Sequence, residues 1–354
     1  MERHGANDRT DIFESNRSHL MAVAYRMLGS WAEAEDAVQE AWLRYAKADA
    51  EDIRQARAWL TTVVARICLD VLRSARVRRE AYVGPWLPEP VVERLPATDG
   101  ADDDPAETAS RHEQVGLALL VVLERLSPEQ RVAFVMHDVF GLPFDQVAAA
   151  LSTTTEAARQ LASRGRRAVT AERVGAARRR PGLAEQRRIV SAFLAATQGG
   201  DLEQLLTLLA PDAVMIGDGG GIAPAGRYPI TGAIGVARFA LGLFRRVDAE
   251  AEIDMEFVLV NGDLGILVEV RALDGRSLPA PASVDLYQEP DMLVDGDTLR
   301  FVMAFAFGDD GRIDGIYDQL NPHKLTRVPR LRDLRPGVSA AEPMRSPNRH
   351  DEPA

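Results

Sequence analysis

The sequence predicts a multidomain protein in which two all-α domains precede an α+β domain. Three observations predict this order. Apolar residues recur at three- and four-residue steps, the period of a helix, through most of the first 175 residues. A stretch rich in proline and acidic residues interrupts the pattern between residues 83 and 110. Beyond residue 183, helical segments give way to strand-like runs paired by tight-turn residues, the element order of an α+β domain.

The first all-α segment is predicted to hold two helices that meet at Gly29-Ser30 and a third from Arg57 to about Glu80. Ser30 and Glu33 form a capping box that starts the second helix. The outer surface of the second helix is acidic. Arginines cover the outer surface of the third helix, so a basic surface follows an acidic one. The residues that form the apolar face of the third helix are Leu60, Val63, Val64, Ile67 and Val71.

The second all-α segment contains a helix-turn-helix pattern. The string Ser127-Pro-Glu-Gln130 starts a helix that is predicted to stop at Gly141. A short helix, a three-residue turn and a helix from Thr155 follow, and Thr153 and Glu156 are expected to form a capping box. A helix of this kind fits the major groove of B-DNA. The alternative is an ordinary helical hairpin with a solvated basic face.

These segments, taken in order, resemble regions 2 and 4 of an extracytoplasmic-function sigma factor, the promoter-recognition subunit of bacterial RNA polymerase. Asp36-Ala-Val-Gln-Glu40 matches the polymerase-binding motif of that family, and the arginine-rich helix after Trp59 matches its promoter-melting segment. The resemblance implies that Asp36, Gln39 and Glu40 hold the polymerase. A solvated helix face is the alternative for these three residues.

The resemblance also implies two DNA-binding sets. The third helix, with the polar loop before it, would recognise and open the −10 element, and the helix from Thr155 would dock at the −35 element. The residues implied for the −10 element are Arg57, Trp59, Arg66, Arg73, Arg76, Arg78 and Arg79. The residues implied for the −35 element are Thr155, Glu156, Arg159, Gln160, Ser163, Arg164 and Arg167.

Charge and composition limit the possible partners. The net charge of −11 argues against non-specific binding of nucleic acid, so DNA affinity has to come from local basic faces. The single cysteine, Cys68, excludes a disulfide framework. No apolar run approaches the roughly 20 residues of a membrane span, and the N-terminus has no apolar signal core. A cytoplasmic protein without a membrane span is expected.

The C-terminal segment shows strand pairs with hairpin turns. One pair, Ile253–Val260 and Leu264–Ala272, flanks Asn-Gly-Asp, and a second, Leu299–Phe307 and Ile313–Gln319, flanks Gly-Asp-Asp-Gly. The helices predicted here are Leu183–Gln198, a short one capped by Asp201, and Gly235–Val247.

This segment resembles the SnoaL-like polyketide-cyclase fold of the nuclear-transport-factor-two superfamily, which implies a curved sheet wrapped on helices around a cone-shaped pocket. Asp218-Gly-Gly-Gly221 and Asn321-Pro-His-Lys-Leu325 look like two signatures of sigma factors that carry this domain. Ile222 departs from the pattern, because a lysine commonly follows the glycines. Asp218 could be a general base at a pocket rim, but a tight turn in which it accepts backbone hydrogen bonds is favoured.

The linker between the all-α segments carries an apolar strip, Trp86-Leu87-Pro88. It is either a clasp onto the preceding helices or a docking site for another domain. We expect it to contact the segment Asn321–Leu325, with Asp218, Asn321, Pro322 and Lys324 as the residues of a regulatory contact.

The predicted function is that of an alternative sigma factor whose partners are core RNA polymerase and promoter DNA and whose C-terminal domain modulates it in cis. No catalysis, cofactor, metal or membrane is implied, and a small-molecule ligand of the C-terminal pocket is left open. The competing functions are a SnoaL-like isomerase or cyclase with a DNA-binding arm, and a ligand-sensing repressor. The expected domains are region 2 at 10–82, a linker at 83–110, region 4 at 111–175, a SnoaL-like domain at 183–325 and a flexible tail at 326–354, with Leu331 and Leu334 as its docking candidates.

Overall fold

The computed structural model describes residues 2–49, 53, 55–80, 82–95, 116–171, 181–272 and 298–334. The chain forms two compact units. The helical unit comprises Met1–Ala81 with Leu119–Ala176, and the sheet unit comprises Tyr82–Ala118 with Ala177–Ala354. The acidic run at 99–107 and most of the basic linker at 176–182 lie outside the described residues.

The first three helices agree with the predicted pattern. Helices α1 and α2 meet at Gly29-Ser30, where the Ser30 hydroxyl accepts a hydrogen bond from the Glu33 N–H at 3.3 Å. Helix α1 begins at Glu2, ahead of the region 2 boundary expected at residue 10. The bounds are α1 Glu2–Leu28, α2 Trp31–Lys47 and α3 Ala56–Glu80.

The remaining helices of the N-terminal half follow the helix-turn-helix prediction with two differences. Ser127 and Gln130 form a full capping box, but the last turn before Phe140 is π-helical. The N-cap of the second motif helix is Thr154, whose hydroxyl accepts from the Ala157 N–H at 3.2 Å, so the expected Thr153–Glu156 capping box is wrong. The bounds are α4 Leu117–Leu123, α5 Pro128–Phe134 with a π turn at Val135–Val139, α6 Phe144–Leu151 and α7 Thr155–Ala171.

The core of the helical unit is apolar and closely packed. Leu20 and Met27 of α1, Leu60 of α3 and Met136 of the π turn are fully buried. Gly165 of α7 is needed for close approach, because a Cβ atom there would lie 3.0 Å from the Cβ of Phe134. A buried ion pair between Arg131 and Glu124 interrupts the apolar contacts, and burial lowers the pKa of Arg131 to about 9.

The sheet unit contains a seven-stranded sheet in the order β1-β4-β5-β6-β7-β2-β3. Strands β2 and β7 run parallel, and the other neighbours are antiparallel. Both predicted hairpins are present, and Asn261 and Gly262 both have positive φ in the β4–β5 turn, as a type I′ turn requires. The bounds are β1 Val92–Arg94, β2 Leu209–Asp218, β3 Ile230–Thr231, β4 Ala251–Val260, β5 Asp263–Ala272, β6 Thr298–Phe307 and β7 Ile313–Gln319.

Helices cover one face of this sheet, as the α+β prediction requires. Helices α8 and α10 form with the strands a cavity of about 190 Å³. Asp201 caps α9 by accepting from the Gln204 N–H at 2.9 Å, as expected. The bounds are α8 Leu183–Gly199, α9 Leu202–Leu208, α10 Ala233–Glu250, a 3-10 turn Pro322–Lys324 and α11 Leu331–Leu334.

Part of the segment expected to be a flexible tail packs on the sheet. Val328 and Leu331 are buried, and the Leu331 N–H donates to a carboxylate oxygen of Glu269 at 3.2 Å. Arg300 of β6 donates to the carbonyl of Val328 at 3.3 Å. Residues 326–334 are therefore packed on the sheet, and Leu331, one of the two docking candidates named from the sequence, is buried there. Residues 335–354 lie outside the described part of the chain.

Candidate functional sites

The outer face of α2 carries the residues predicted to bind polymerase. Asp36 and Gln39 are exposed, and Glu40 is half-buried with an oxygen 2.9 Å from the Arg44 guanidinium. Leu43 follows on the same helical face and is 46% exposed. Sequence reasoning missed Leu43, because leucine at helical spacing is usually a core residue. A stripe of two exposed polar residues followed by an exposed leucine is suited to protein binding.

The start of α3 holds Arg57 and Trp59 beside α1 and α2. The Arg57 guanidinium lies 3.1 Å from Nδ1 of His19, and the Trp59 ring is 5.8 Å from the ring of Tyr45. Burial, together with Arg57 and Arg26, lowers the pKa of His19. Both residues thus lie at one end of the arginine-rich helix.

Farther along α3, two of the arginines contact the second all-α segment. The Arg66 guanidinium donates to the carbonyl of Ala149 at 2.7 and 3.1 Å, close to the C-terminal end of α6. The Arg73 guanidinium donates to Glu129 of α5 at 3.0 and 3.1 Å. In this arrangement these two predicted DNA contacts have protein partners. The last three predicted arginines, Arg76, Arg78 and Arg79, lie in α3, but their side chains are outside the described part.

Helix α7 presents a continuous polar face. Ala158, Ala162 and Gly165 point inward and are buried. Arg166 forms an ion pair with Asp138 at 2.5 Å and was not predicted as a surface contact. The predicted −35 residues Thr155, Glu156, Arg159, Gln160, Ser163, Arg164 and Arg167 are all exposed. The helix therefore offers seven polar side chains on one side, the arrangement that reading a major groove requires.

Asp218, the last residue of β2, is fully buried and binds the linker. The Tyr82 hydroxyl donates to its Oδ1 at 2.6 Å, and the Leu87 N–H donates to its Oδ2 at 2.7 Å. The Gly220 N–H and the Gln319 side-chain amide donate to the same carboxylate at 3.0 and 3.4 Å. Both carboxylate oxygens are therefore hydrogen-bonded, as a buried charge requires.

Lys324 completes this site. Its Nζ lies 2.7 Å from Oδ2 of Asp218 and donates to the Leu87 carbonyl at 2.7 Å. It also lies 4.0 Å from the ring centre of Trp86 and 4.9 Å from that of Tyr82, so two aromatic faces contact the ammonium group. The side chains of Lys324 and Asp218 are only 10% and 0% exposed. The ion pair is thus shielded from water by the linker.

The end of β7 and the turn after it supply the remaining contacts. The Asn321 side-chain amide donates to the Tyr82 hydroxyl at 2.8 Å, and its oxygen caps the 3-10 turn that begins at Pro322. The Gln319 side-chain amide donates to the carbonyl of Pro88 at 3.2 Å. We call the contact of Tyr82, Trp86, Leu87 and Pro88 with Asp218, Gln319, Asn321 and Lys324 the linker clasp.

The linker clasp continues into the sheet. Strand β1 pairs with the edge strand β4, Val92 opposite Val260. The Val91 N–H donates to Oδ1 of Asn261 at 3.1 Å, and the Asn261 N–H donates to the Val91 carbonyl at 2.8 Å. The linker therefore docks on the C-terminal domain, which agrees with the second of the two interpretations of the apolar strip. Leu87 and Pro88, expected as an exposed strip, are buried.

The glycines after Asp218 are required by space and backbone conformation. A Cβ atom on Gly219 would lie 2.1 Å from the carbonyl oxygen of Ala223. Gly220 has a φ of +62°, and a Cβ atom on it would lie 2.2 Å from Nδ2 of Asn321. No charge follows the glycines, since Ile222 stands there, and the cation that contacts Asp218 is Lys324.

Tyr82 and Gln319 are the clasp residues that sequence reasoning missed, and Tyr82 is the one in the linker. Burial and the neighbouring Asp218 carboxylate raise the pKa of its hydroxyl, which keeps it protonated as a donor. Asp218 itself lies away from the cavity, since Met215 and Gly217 line the cavity and Asp218 follows Gly217 on the opposite face of β2. The tight turn that the sequence favoured over a general base agrees with this position.

Two family models match the chain, Sigma-70 region 2 over residues 12–78 and Sigma-70, region 4 over residues 116–169. The ECF RNA polymerase sigma factor SigJ of Mycobacterium tuberculosis H37Rv is 44% identical over 323 residues, which cover 90% of this chain and 93% of that protein. This chain belongs to the extracytoplasmic-function sigma factors. A probable ECF sigma factor of the same species, SigI, is 39% identical over 205 residues, 56% of this chain and 66% of that protein.

A solved structure agrees with this assignment. The crystal structure of the sigma factor SigJ from M. tuberculosis has a TM-score of 0.65 and 40% identity, and it covers 90% of this chain and 98% of that chain. The sigma factor thus combines helical sigma domains with a sheet-containing SnoaL-like domain, as predicted. As a member of this family it binds core RNA polymerase and promoter DNA and directs transcription initiation.

The described residues include neither a membrane-spanning helix nor a metal-binding cluster. None of the helices in that part of the chain has the length and apolar character needed to cross a bilayer. Within the same residues, no group of three or more histidine, cysteine, aspartate or glutamate side chains is placed to hold a metal ion.

Proposed function

We propose that the SnoaL-like domain modulates this sigma factor in cis by holding the linker between regions 2 and 4. The linker clasp is the observation that carries the proposal, because the linker residues Tyr82 and Leu87 hydrogen-bond to a buried ion pair, Asp218–Lys324, that lies more than 130 residues further along the chain. A tethered contact is favoured by a local concentration in roughly the millimolar range. The clasp shortens the part of the linker that can adjust the separation of regions 2 and 4.

That separation has a direct use in promoter recognition. Region 2 and region 4 contact the −10 and −35 elements, so the distance between the two protein surfaces has to match the spacer of the promoter. A linker that is held at Leu87 and paired along Val92–Arg94 can span fewer distances between regions 2 and 4 than an undocked linker can. The clasp therefore restricts the sigma factor to promoters within a narrower range of spacer lengths.

The roles of the two sigma surfaces are part of the same proposal. Asp36, Gln39 and Glu40 on α2 contact the polymerase, and the exposed face of α7 docks at the −35 element. The arginines of α3 bind the −10 element, which requires Arg66 and Arg73 to exchange Ala149 and Glu129 for DNA. The protein supplies recognition in the cytoplasm, where the polymerase acts, and the polymerase supplies the chemistry.

Transcription in vitro from promoters with different spacers tests the cis effect. The chain would be assayed with core polymerase on a cognate promoter and on versions whose spacer is one or two base pairs longer or shorter. We expect Lys324→Ala and Trp86→Ala to retain activity on the cognate spacer and to gain roughly tenfold on the altered ones. The matched control is His323→Ala, an exposed residue in the same 3-10 turn. A spacer preference that both clasp variants leave unchanged would refute the proposal.

A further inference from the structure

The cavity of the SnoaL-like domain is lined almost wholly by apolar side chains. Its volume of about 190 Å³ slightly exceeds the roughly 150 Å³ of an engineered apolar cavity that binds benzene. Phe193 of α8, Phe239 of α10 and Phe301 of β6 are among its walls. The polar side chains that line it are Thr197, Gln198, Tyr228 and Asp318. The dimensions therefore suit a molecule with one ring or a short chain.

Among the described residues that line the cavity, Asp318 is the only charged one. It lies on β7 between Ile316 and Leu320, and all three side chains point into the cavity at the two-residue period of a strand. Its neighbours across the sheet are Gly217 on β2 and Met303 on β6, which also line the cavity. Gly217 has no side chain on this flank of the carboxyl group, and a Cβ atom there would make only ordinary contacts, at 3.4 Å with Ala225 and 3.6 Å with Leu320.

The carboxyl group of Asp318 lacks the partner that its burial demands. The residue is 7% exposed, and its Oδ1 is buried without a hydrogen bond to any residue that the structure describes. Desolvation raises the pKa of this group to about 7, so near neutral pH much of it is protonated and can donate a hydrogen bond. An unpaired buried polar group is costly, and a ligand that completes its hydrogen bond recovers that cost.

We propose that this cavity binds a small neutral molecule that is mainly apolar and presents one acceptor oxygen, such as a ketone or ester carbonyl, to Asp318. Shape and apolar contact supply most of the affinity, and the carboxyl proton supplies orientation. An anion is disfavoured, since none of the described residues that line the cavity carries a cationic side chain to compensate it and a carboxylate would repel it. The site is separate from the linker clasp, which occupies the opposite face of β2 and β7.

The binding test uses the full-length protein and four probes of similar size. Acetophenone carries the acceptor oxygen, ethylbenzene lacks it, benzoate is an anion and benzylamine a cation. Affinities would be measured by calorimetry and by ligand-observed NMR competition. At pH 6 we expect acetophenone to bind at least tenfold more tightly than ethylbenzene and both ionic probes to bind more weakly than either. From pH 6 to pH 8.5 the preference for acetophenone should shrink as Asp318 ionises.

Variants separate the role of Asp318 from that of the cavity. Asp318→Leu should abolish the preference for acetophenone and keep the affinity for ethylbenzene. Asp318→Asn keeps a neutral donor, so the preference should persist and lose its pH dependence. Gly217→Val should weaken both neutral probes, since its Cβ would meet only atoms 3.4 Å or more away and its methyl groups would fill space beside the carboxyl. The control is Asp212→Asn, an exposed residue on the same strand as Gly217.

Several results would overturn the proposal. Equal affinity for acetophenone and ethylbenzene in the unaltered protein would show that Asp318 recognises nothing. A preference that survives Asp318→Leu would place the polar contact elsewhere. Benzylamine as the tightest probe at pH 6 would mean that the site takes cations, and absence of binding by all four probes would mean that the cavity is a packing void.

Discussion

Asp218 and Asp318 lie on neighbouring parallel strands, one residue out of register. Gly217 is opposite Asp318, and Asp218 is opposite Gln319, so the two carboxyl groups point to opposite faces of one sheet. Asp218 meets a lysine and four other donors, and it holds the linker as a carboxylate. Asp318 faces a mainly apolar cavity, and burial raises the pKa of its carboxyl group to about 7. The surroundings, not the residue type, decide what each group can do.

Removing the Asp218 carboxylate should destabilise the SnoaL-like domain. Asp218→Ala removes the carboxylate from a buried ion pair, a change that typically costs about 3–5 kcal/mol. The loss would be measured by urea unfolding of the full chain. Asp212→Ala, an exposed position on the same strand, should change the stability by no more than about 0.5 kcal/mol. Equal stabilities for both variants would mean that the ion pair makes no net contribution to the free energy of unfolding.

Asp318 predicts a dependence of stability on pH. Its pKa is about 7 in the folded protein against an ordinary value of 3.8, so the unfolded chain ionises first as the pH rises. The stabilising contribution is complete below about pH 4 and is lost as the pH rises through 7. Relative to Asp318→Asn, the unaltered domain should lose about 4 kcal/mol between pH 4 and pH 8. Stability is measured by urea unfolding of both proteins at each pH. If the stabilities of the unaltered protein and of Asp318→Asn changed equally between pH 4 and pH 8, Asp318 would not retain its proton in the folded protein.

At the scale of elements, the outer faces of α2 and α7 are where sequence patterns were most informative. A helix that buries one face leaves a predictable set of residues on the other, and this placed Asp36, Gln39 and Arg164 at the surface. The hairpins were equally predictable, because Asn261-Gly262 fits only a few turn types. The cap of α7 was misplaced by one residue, since either Thr153 or Thr154 can supply the hydroxyl.

The face of α2 predicts a defect in polymerase binding without loss of fold. Asp36→Arg combined with Gln39→Ala reverses charge on an exposed surface, so circular dichroism should not change. Affinity for core polymerase, measured by fluorescence anisotropy, should fall by roughly tenfold or more. Glu14→Arg, a charge reversal at an exposed position of α1, is the matched control. Unchanged affinity in the double variant would mean that another surface binds the polymerase.

The face of α7 predicts a change in salt dependence. Arg164→Ala and Arg167→Ala should each reduce the slope of log affinity against log salt by about one, since each removes one phosphate contact. The polymerase holoenzyme on a −35 promoter fragment gives the measurement. Arg188→Ala, an exposed arginine of α8 in the SnoaL-like domain, should leave the slope unchanged. A slope identical in all proteins would remove α7 from the DNA-binding surface.

At the scale of the whole molecule, the features that sequence reasoning missed are contacts between distant segments. Tyr82 and Asp218 are 136 residues apart, and nothing in the local pattern around either one indicates the other. The same holds for Arg66 and Ala149, which are 83 residues apart, and for the pairing of β1 with β4. Motif order identified the domains, because each motif is local. The docking of the linker could be expected only from a resemblance.

Linker docking predicts a pattern of hydrogen exchange. The amides of Leu87 and Val91 donate to Asp218 and Asn261, so the peptide 82–95 should exchange slowly in the full-length protein. Ending the chain at Arg180 removes both acceptors, and exchange of this peptide should become at least tenfold faster. A peptide within α3, such as 62–72, serves as the internal control. Equal protection of 82–95 in both proteins would show that the linker is held by something other than the C-terminal domain.

The distance along the chain between the two halves of the linker clasp also sets a delay during synthesis. Lys324 follows Leu87 by 237 residues. At about 5–20 residues per second, a ribosome needs roughly 12–50 s to make that interval. For the later part of it, after region 4 ends at residue 175, both promoter-binding regions are complete, while Lys324, which completes the ion pair that the linker contacts, has not yet been made. Every newly made molecule therefore exists first as a sigma factor with an undocked linker, and the C-terminal domain acts only on a protein whose promoter-binding parts are already finished.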